Sequence, residues 1–506
     1  MTTYTYWNSL TLEGVDGHVV KVEAALTSGL PKYHVVGLPD GAVRESYDRI
    51  RAALKAGGFD FPRGVVTINL APADLKKAGT GFDLPIAIAI IALTKGRELT
   101  VNAADWALFG ELGLDGSIRS VRGALAMGIG LINSPCTRLL CSIKDAADLS
   151  MVQGLYPIGS ATLREAWESL TRQPPSLPTA PIARWGGPRT KHRKPTWVGV
   201  KGQSFAKRGF EIAAAGRHNM VLEGPPGSGK TMMSKRLPDL LPPMSEREML
   251  DVMRIHSAAG LDWLEMDDPG RAPFRSPHHS ISYAGLCGGG HPIRPGEVSL
   301  AHHGVLYLDE MPEYRRDVLE SLRQPLEDGT IGISRLHAKI TFPARIMLIG
   351  SYNPCPCGYF GDATRICSCR PEAIMRYQRK LSGPLLDRID LFVHVQPVPL
   401  NALVEVEEER PKNDNVLLAF ERQRARYSAE STRQYNATVP YAKLLSHLGL
   451  QDHLKSLVTH IVKNYVLSAR SFHRLMRTSR TIADLEDAET VREEHVLEAL
   501  QYRRKV

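Results

Sequence analysis

A glycine-rich segment at residues 221–235, which reads VLEGPPGSGKTMMSK, constrains the fold more than any other part of the sequence. It matches the pattern G-x-x-x-x-G-K-[ST] between an apolar run and a run typical of a helix. In such a loop the backbone N–H groups turn toward phosphates, and the helix N-terminus adds a partial positive charge. The segment therefore predicts a strand–loop–helix unit that binds a nucleoside triphosphate.

Each residue of this loop has a candidate role. The predicted nucleotide-binding residues are Gly224, Pro225, Pro226, Gly227, Ser228, Gly229, Lys230, Thr231 and Met232. Lys230 is expected to reach the β- and γ-phosphates, and Thr231 to ligate Mg²⁺. About 80 residues later, GVLYLDE ends an apolar run in two acids. Asp309 is the second candidate Mg²⁺ ligand, and Glu310 the candidate base that orients the attacking water.

The positive charge of the chain is concentrated in one stretch. The net charge is +9, and residues 171–210 contain nine Lys and Arg and no acid. This proline-rich stretch without periodicity predicts a boundary between domains. It is either a solvated basic linker or a segment that follows a polyanion such as DNA.

Periodicity on either side of this boundary predicts the domain organisation. Residues 1–170 alternate β-branched runs with helical runs, which predicts an α/β domain, followed by a linker at 171–196. Residues 197–399 alternate apolar strands with helices, the rhythm of a parallel sheet covered on both faces. Residues 400–506 show mainly helical patterns and predict an all-α lid.

Hydropathy and cysteine usage predict a cytoplasmic protein. The longest apolar run, LPIAIAIIAL at 84–93, is too short for a membrane span and predicts a buried helix. The first ten residues show no secretory signal. Four of the seven cysteines, Cys355, Cys357, Cys367 and Cys369, are crowded together. They are candidate ligands of a structural Zn²⁺, but free thiols or a redox role stay open because C-x-C spacing is unusual.

Several motifs, taken in order, resemble the YifB/ComM branch of the magnesium-chelatase-like AAA+ proteins. They are GPPGSGKT, VSLAHHGVLYLDEMPEY, LIGSYNPCPCG, LSGPLLDRIDL and SARSFHRLMRTSRTIADL. The resemblance covers essentially the whole chain. It implies an α/β fold with a Lon-protease-like N-terminal domain of the ribosomal S5 domain 2 type, a P-loop AAA+ core and a helical lid.

The same resemblance implies further site residues. Asn353 looks like the polar sensor 1 residue, Arg388 like an arginine finger that reaches the ATP of a neighbouring subunit, and Arg470 like the sensor 2 arginine of the lid. A finger that acts in trans implies a homo-oligomeric ring, and the resemblance implies a hexamer. Residues 326–346 read as a hairpin. In related AAA+ helicases a hairpin here touches DNA, so Arg335 and Lys339 are candidate DNA contacts, although a solvated hairpin face is an equal alternative.

The N-terminal domain departs from the Lon-like pattern at both catalytic positions. A peptidase of this type needs a serine activated by a lysine. The sequence reads Gly81–Phe82–Asp83 where the serine should stand, and it has no lysine around Leu125 and Ala126. We therefore expect no peptidase activity.

The resemblance implies helicase or branch-migration activity on recombination intermediates. One alternative is a motor of the magnesium-chelatase type that remodels a protein partner. Another is a polypeptide remodeller, for which Tyr283 or Tyr359 could supply the aromatic tip of a pore loop.

Overall fold

The computed structural model divides the chain into two compact units. It describes residues 3–132, 134–172, 197, 200–262, 270–335, 338–362, 365–397, 413–427, 434–449, 452–465 and 467–504. The first unit comprises Met1–Arg189 together with Leu250–Pro269, and the second comprises Thr190–Met249 together with Gly270–Val506. No sequence pattern indicated that residues 250–269 would group with the first unit.

The first unit is built on a mixed seven-stranded sheet. Its strands are β1 (Thr3–Glu13), β2 (Asp16–Thr27), β3 (Lys32–Val36), β4 (Val65–Ala71), β5 (Trp106–Leu108), β8 (Arg138–Ser142) and β9 (Tyr156–Ser160), and a small hairpin pairs β6 (Glu111–Leu112) with β7 (Ile118–Arg119). The order in the sheet is β3-β4-β2-β1-β5-β8-β9. The β1–β2 and β2–β4 pairs are antiparallel and the other pairs are parallel.

The core of this unit forms around one apolar helix. The helices are α1 (Gly41–Arg44), α2 (Ser46–Ala56), α3 (Asp83–Lys95), α4 (Ala124–Ile129), α5 (Ile143–Leu149) and α6 (Leu163–Thr171). Every residue of α3 from Asp83 to Leu93 is buried, so the prediction of a buried helix at 84–93 is confirmed. Asp83 begins this helix, and Arg49 neutralises its carboxylate through bonds of 2.8 and 3.0 Å.

The second unit is built on a parallel five-stranded sheet, as the alternating pattern predicted. Its strands are β10 (Met220–Glu223), β11 (Phe274–Arg275), β14 (Val305–Leu308), β17 (Met347–Tyr352) and β18 (Leu391–His394). Their order is β11-β14-β17-β10-β18, with every pair parallel. The first strand in sequence therefore lies between the fourth and the fifth, which opens a crevice at its carboxyl end.

Helices and two hairpins complete the second unit. The helices are α7 (Ser204–Gly216), α8 (Lys230–Leu240), α9 (Glu246–Ala259, whose second part groups with the first unit), α10 (Tyr283–Cys287), α11 (Glu297–Leu300), α12 (Arg316–Ser321), α13 (Arg323–Asp328), α14 (Pro371–Gln378) and α15 (Gly383–Leu386), then α16 (Asn413–Arg426), α17 (Tyr441–Leu445), α18 (Asp452–Asn464), α19 (Ala469–Leu485) and α20 (Glu493–Gln501). The hairpin predicted at 326–346 is present, formed by β15 (Thr330–Arg335) and β16 (Ala338–Pro343), and β12 (Gly288–Gly289) pairs with β13 (Arg294–Pro295). The described residues beyond 397 contain helices and no strand.

Candidate active site

The candidate ATP-binding residues lie at one edge of the parallel sheet. The glycine-rich loop 224–229 follows β10, Asp309 follows β14, and Asn353 follows β17. These three strands are neighbours or next neighbours, and parallel strands all end at the same edge. Segments that are distant in sequence are therefore brought together by topology.

The conformation of the loop depends on its glycines. Gly227 and Gly229 have φ of 78° and 88°, a region that side-chain-bearing residues rarely adopt. At Gly224 the reason is space, because a Cβ would lie 2.2 Å from the carbonyl oxygen of Val395. The buried Ser228 hydroxyl donates to the Pro225 carbonyl at 2.9 Å and closes the turn. Met232, the last predicted contact, lies in the first turn of α8 and is 46% exposed.

Lys230 points into the loop from the start of α8. Its Nζ donates to the carbonyl oxygens of Gly224 (2.7 Å) and Pro225 (2.9 Å) and to Oδ1 of Asn353 (3.2 Å). Burial lowers the pKa of Lys230 to about 8, although Asp309 and Glu310 favour the charged form. A buried ammonium held only by neutral oxygens is suited to phosphate, whose charge would offset the desolvation.

Thr231 and Asp309 form the side of the site that fits Mg²⁺. Thr231 Oγ1 donates to Asp309 Oδ2 at 2.9 Å, and Ser351 Oγ donates to Asp309 Oδ1. The Tyr307 hydroxyl is 3.2 Å from Thr231 Oγ1 and 3.0 Å from Ser351 Oγ. Burial raises the pKa of Tyr307 to about 12, so the phenol remains a donor. A hydroxyl and a carboxylate next to a phosphate loop are the oxygen donors that Mg²⁺ takes.

Glu310, next to Asp309 in the chain, has an unusual backbone conformation. Its φ and ψ are 50° and 48°, in the left-handed region, which is uncommon for a residue with a side chain. Its N–H donates to Asp309 Oδ1 at 3.1 Å, and its side chain is 55% exposed. The carboxylate is therefore accessible to solvent, with Nδ1 of His279 at 3.7 Å from Oε2.

The segment after Asn353 packs against the phosphate loop. A Cβ at Gly358 would lie 2.5 Å from Cδ of Pro226, so the two loops approach to within contact. Gln378 of α14 donates to the Pro354 carbonyl at 3.1 Å and fixes the other side of this segment. Asn353 is thus held between a contact to Lys230 and a cysteine-containing loop.

The four cysteines of that loop converge. Sγ of Cys355 is 3.4 Å from Sγ of Cys357 and 3.6 Å from Sγ of Cys367, and all four sulfurs, including that of Cys369, lie within 4.8 Å of one another. Four thiolates around Zn²⁺ at about 2.3 Å are about 3.8 Å apart in a tetrahedral site. The arrangement fits a closed structural metal site.

Arg388 and Arg470 lie together, in contact with a carboxylate that the sequence did not single out. Arg388 Nη2 donates to Glu327 Oε2, and Arg470 Nη2 donates to Glu327 Oε1 at 2.6 Å. Arg388 also donates to the Pro384 carbonyl at 2.7 Å. Within the described residues, none of the hydrogen bonds or ion pairs of the two arginines involves the phosphate loop, Asp309 or Asn353.

The candidate DNA contacts are described only in part. Lys339 is exposed on β16, opposite Ser334 in the hairpin. The backbone of Arg335 ends β15, but its side chain lies outside the described part of the structure. Residues 173–196 of the predicted linker also lie outside it. Of the two tyrosines considered for a polypeptide-gripping loop, Tyr283 is 46% exposed, whereas Tyr359 accepts a bond of 2.7 Å from Arg365.

Gly81 and Ala126, the positions that depart from the peptidase pattern, belong to the core-facing part of the first unit. Ala126 is fully buried, and a Cβ at Gly81 would lie 3.6 Å from Val121 Cγ1, which is ordinary contact. A serine would therefore fit at Gly81. Among the described helices of the chain, none has the length and hydrophobicity needed to cross a membrane.

Sequence reasoning missed three contributors to the site. Tyr307 and Ser351 lie inside the strands β14 and β17 and were interpreted only as strand residues. Their polar groups in otherwise apolar runs were the available signal. Glu327 gave no signal, because it is one exposed acid on a short helix and its partners follow 61 and 143 residues later.

Comparison with known families gives matches along most of the chain. The family described as "Magnesium chelatase, subunit ChlI" matches residues 197–403. The family described as "Subunit ChlI of Mg-chelatase" matches residues 22–145, and the corresponding C-terminal family matches residues 408–503.

Full-length relatives extend the same similarity. YifB of Salmonella typhimurium is 38% identical over 97% of this chain and 95% of its own length. Competence protein ComM of Haemophilus influenzae is 37% identical over 97% of this chain and 96% of its own length. The 38 kDa magnesium-chelatase subunit of Acidiphilium rubrum is 27% identical, over 42% of this chain and 54% of its own length.

Proposed function

The chain belongs to the YifB/ComM family of magnesium-chelatase-like proteins, and we propose that it is a ring-forming AAA+ ATPase that couples ATP hydrolysis to the remodelling of DNA. The observation that carries this proposal is the convergence of the phosphate loop, the Asp309–Glu310 pair and Asn353 at one sheet edge. Such a site hydrolyses a nucleoside triphosphate mainly by positioning and by electrostatic stabilisation.

Each residue of the site has a task in this reaction. The loop amides and Lys230 bind the phosphates, and Lys230 exchanges its present carbonyl partners for phosphate oxygens. Thr231 and Asp309 would hold Mg²⁺, which when bound neutralises charge on the β- and γ-phosphates. The exposed Glu310 carboxylate orients the water, and Asn353 fixes the γ-phosphate side through its contact with Lys230.

Arg388 and Arg470 are the proposed source of further positive charge for hydrolysis. Both are held at Glu327, and neither bonds to the phosphate loop of its own chain within the described residues. A γ-phosphate in transfer needs positive charge on its oxygens. We therefore infer a ring, by family resemblance a hexamer, in which these arginines serve the nucleotide of the neighbouring subunit.

DNA is the proposed substrate of the movement. The relative ComM is named a competence protein and matches this chain over nearly its whole length. Two features support this proposal: Lys339 on the hairpin β15–β16 is exposed, and residues 171–210 carry nine cations without an acid. Such a stretch favours salt-sensitive, sequence-independent binding. We propose branch migration or helicase activity on recombination intermediates.

The test is the ATPase rate of the purified protein without addition, with single-stranded DNA, with a four-way junction and with an unfolded polypeptide. Glu310→Gln supplies the blank. We expect several-fold stimulation that is strongest with the branched DNA and is lost at high salt. A response to polypeptide alone would instead favour a protein-remodelling motor of the magnesium-chelatase type, and the DNA proposal would be abandoned.

We also propose that the four cysteines bind one structural Zn²⁺. The sulfurs of Cys355, Cys357 and Cys367 are 3.4–3.6 Å apart and all four lie within 4.8 Å of one another, which suits a tetrahedral Cys₄ site that leaves no position for substrate. We expect about one zinc per chain by elemental analysis. Cys367→Ser should release it and lower the melting temperature, whereas Cys136→Ser, at a buried cysteine of the first unit, should keep the metal. Full zinc content in Cys367→Ser would contradict the assignment.

A further inference from the structure

Glu327 connects two parts of the second unit that have separate proposed tasks. One carboxylate oxygen accepts from Arg388 and the other from Arg470, the two arginines assigned to the neighbour's nucleotide. Both arginines hold the pKa of Glu327 below its usual range, although burial opposes the shift. The carboxylate therefore stays ionised and compensates part of their charge.

The two arginines are held side by side by a frame that does not include Glu327. Arg474, one turn after Arg470 on α19, donates to Asp390 at 2.5 Å, and Asp390 lies two residues after Arg388. This pair is buried, with side-chain exposures of 10% and 1%. Asp390 also accepts from the Asn219 backbone N–H at 3.0 Å. The arginine pair therefore keeps its spacing if Glu327 moves.

Glu327 itself belongs to an element that leads directly into the hairpin. It lies in the last turn of α13, which ends at Gly329 with φ of 66°. The next residue begins β15, and the Ala344 N–H donates to the Gly329 carbonyl at 2.8 Å, which closes the hairpin base. With 48% of its side chain exposed, Glu327 is far less buried than the frame. A displacement of the hairpin would therefore be transmitted to Glu327 before it reached the arginine frame.

The charge arrangement gives this connection a consequence for catalysis. A guanidinium that donates to a carboxylate stabilises a developing phosphate charge less than one whose donors are available. Phosphate oxygens and Glu327 therefore compete for the same Nη2 groups. Release of Glu327 is a condition for full transition-state stabilisation by the pair.

We propose that Glu327 is a positioning residue that holds Arg388 and Arg470 away from the neighbour's nucleotide until DNA engages the paired strands β15 and β16. The inference rests on the proposed function and adds the step that couples DNA contact to hydrolysis. DNA bound at the hairpin draws α13 away, Glu327 releases both guanidinium groups, and the neighbouring site becomes fully active.

The variant Glu327→Gln tests this, because it keeps the shape of the side chain and removes its charge. Asp328→Asn is the matched control, since Asp328 is the adjacent exposed acid on α13 and has no hydrogen bond or ion pair within the described residues. In Glu327→Gln we expect kcat without DNA to rise at least threefold at unchanged KM, and the ratio of DNA-stimulated to basal rate to fall toward one. Asp328→Asn should behave as wild type.

A double-mutant cycle separates positioning from general loosening. The increase in kcat caused by Glu327→Gln should disappear when Arg388→Ala is also present, because position 327 then has no Arg388 guanidinium to restrain. An unchanged or reduced basal kcat in Glu327→Gln would overturn the proposal, as would loss of assembly in that variant but not in Asp328→Asn. If the wild type fails to respond to any DNA while basal kcat still rises in Glu327→Gln, the DNA function is wrong and the restraint by Glu327 stands.

Discussion

The phosphate-binding region and the arginine region of the second unit differ in how much of their chemistry one chain assembles. In the first, Lys230 already contacts Asn353, and Thr231 already contacts Asp309. In the second, Arg388 and Arg470 contact Glu327 and none of those groups, within the described residues. Both regions belong to the same unit and were expected to act on the same kind of nucleotide.

Under the proposed function, this difference predicts that nucleotide binding and rapid hydrolysis have separate structural requirements. Binding needs the glycine-rich loop and Lys230, whose 8% exposure is set by the fold of one chain. Rapid hydrolysis would need added cations, for which we propose Arg388, which is 9% exposed, and Arg470, whose side chain is 44% exposed. The predictions below test whether that division holds.

Glu310→Gln should have the largest effect. Removal of a general base lowers kcat by roughly 10³-fold, while ATP affinity should be nearly unchanged because Glu310 makes no contact with the phosphate loop within the described residues. Phosphate release and fluorescent-nucleotide titration measure the two quantities. The matched control is Glu313→Gln, at an exposed acid that pairs with Lys380 at 3.2 Å. More than a tenth of wild-type activity in Glu310→Gln would contradict its assignment.

Arg388→Ala should have the next largest effect and tests the comparison directly. We expect kcat in the presence of DNA to fall roughly 10²-fold with ATP affinity retained, because the cation acts only on the developing charge. Mixing this variant with Glu310→Gln should then restore activity above the sum of the two, since some neighbouring pairs regain both groups. If the activity of the mixture only equals the sum of the two variants' activities, Arg388 acts in its own chain's site, and the division between the two regions fails.

Local patterns explain why the phosphate-binding region could be predicted from the sequence. The glycine spacing at 224–229 and the apolar runs that became β10, β14 and β17 are short-range signals, and parallel topology then fixes which strand ends meet. The roles of Lys230 and Asp309 follow from residue type and spacing, although their catalytic parts stay predictions.

The remaining features depend on long-range packing. The pairing of Glu327 with Arg470 joins residues 143 positions apart, on exposed surfaces without periodicity. The Tyr307 hydroxyl lies in a fully buried strand where the apolar pattern masks a polar function. The grouping of residues 250–269 with the first unit is likewise a tertiary property that no local pattern encodes.

ATP affinity should change about tenfold with pH, and the change should come from Lys230 in the phosphate-binding region. Burial lowers the pKa of Lys230 to about 8, and phosphate oxygens at Nζ would raise it. The bound state then holds more protons, so affinity falls as pH rises, by about tenfold between pH 7 and 9. Calorimetric titration of Glu310→Gln in buffers of different ionisation enthalpy would detect the proton uptake. Affinity that stays constant over this range would show that Lys230 does not titrate there.

Tyr307→Phe should have the smallest effect, and it tests whether the phosphate-binding region contributes to binding alone. The phenol hydroxyl is 3.2 Å from Thr231 Oγ1 and 3.0 Å from Ser351 Oγ, so its loss removes one hydrogen bond to a candidate Mg²⁺ ligand and one to Ser351. We expect the Mg²⁺ concentration for half-maximal activity to rise about threefold, as loss of one hydrogen bond allows, at unchanged kcat. Tyr314→Phe is the control, because that hydroxyl donates to the Pro277 carbonyl at 2.6 Å. If kcat at saturating Mg²⁺ fell as far as in Arg388→Ala, Tyr307 would act in hydrolysis itself. The phosphate-binding region would then contribute more than binding, and the separation from the arginine region would be one of degree.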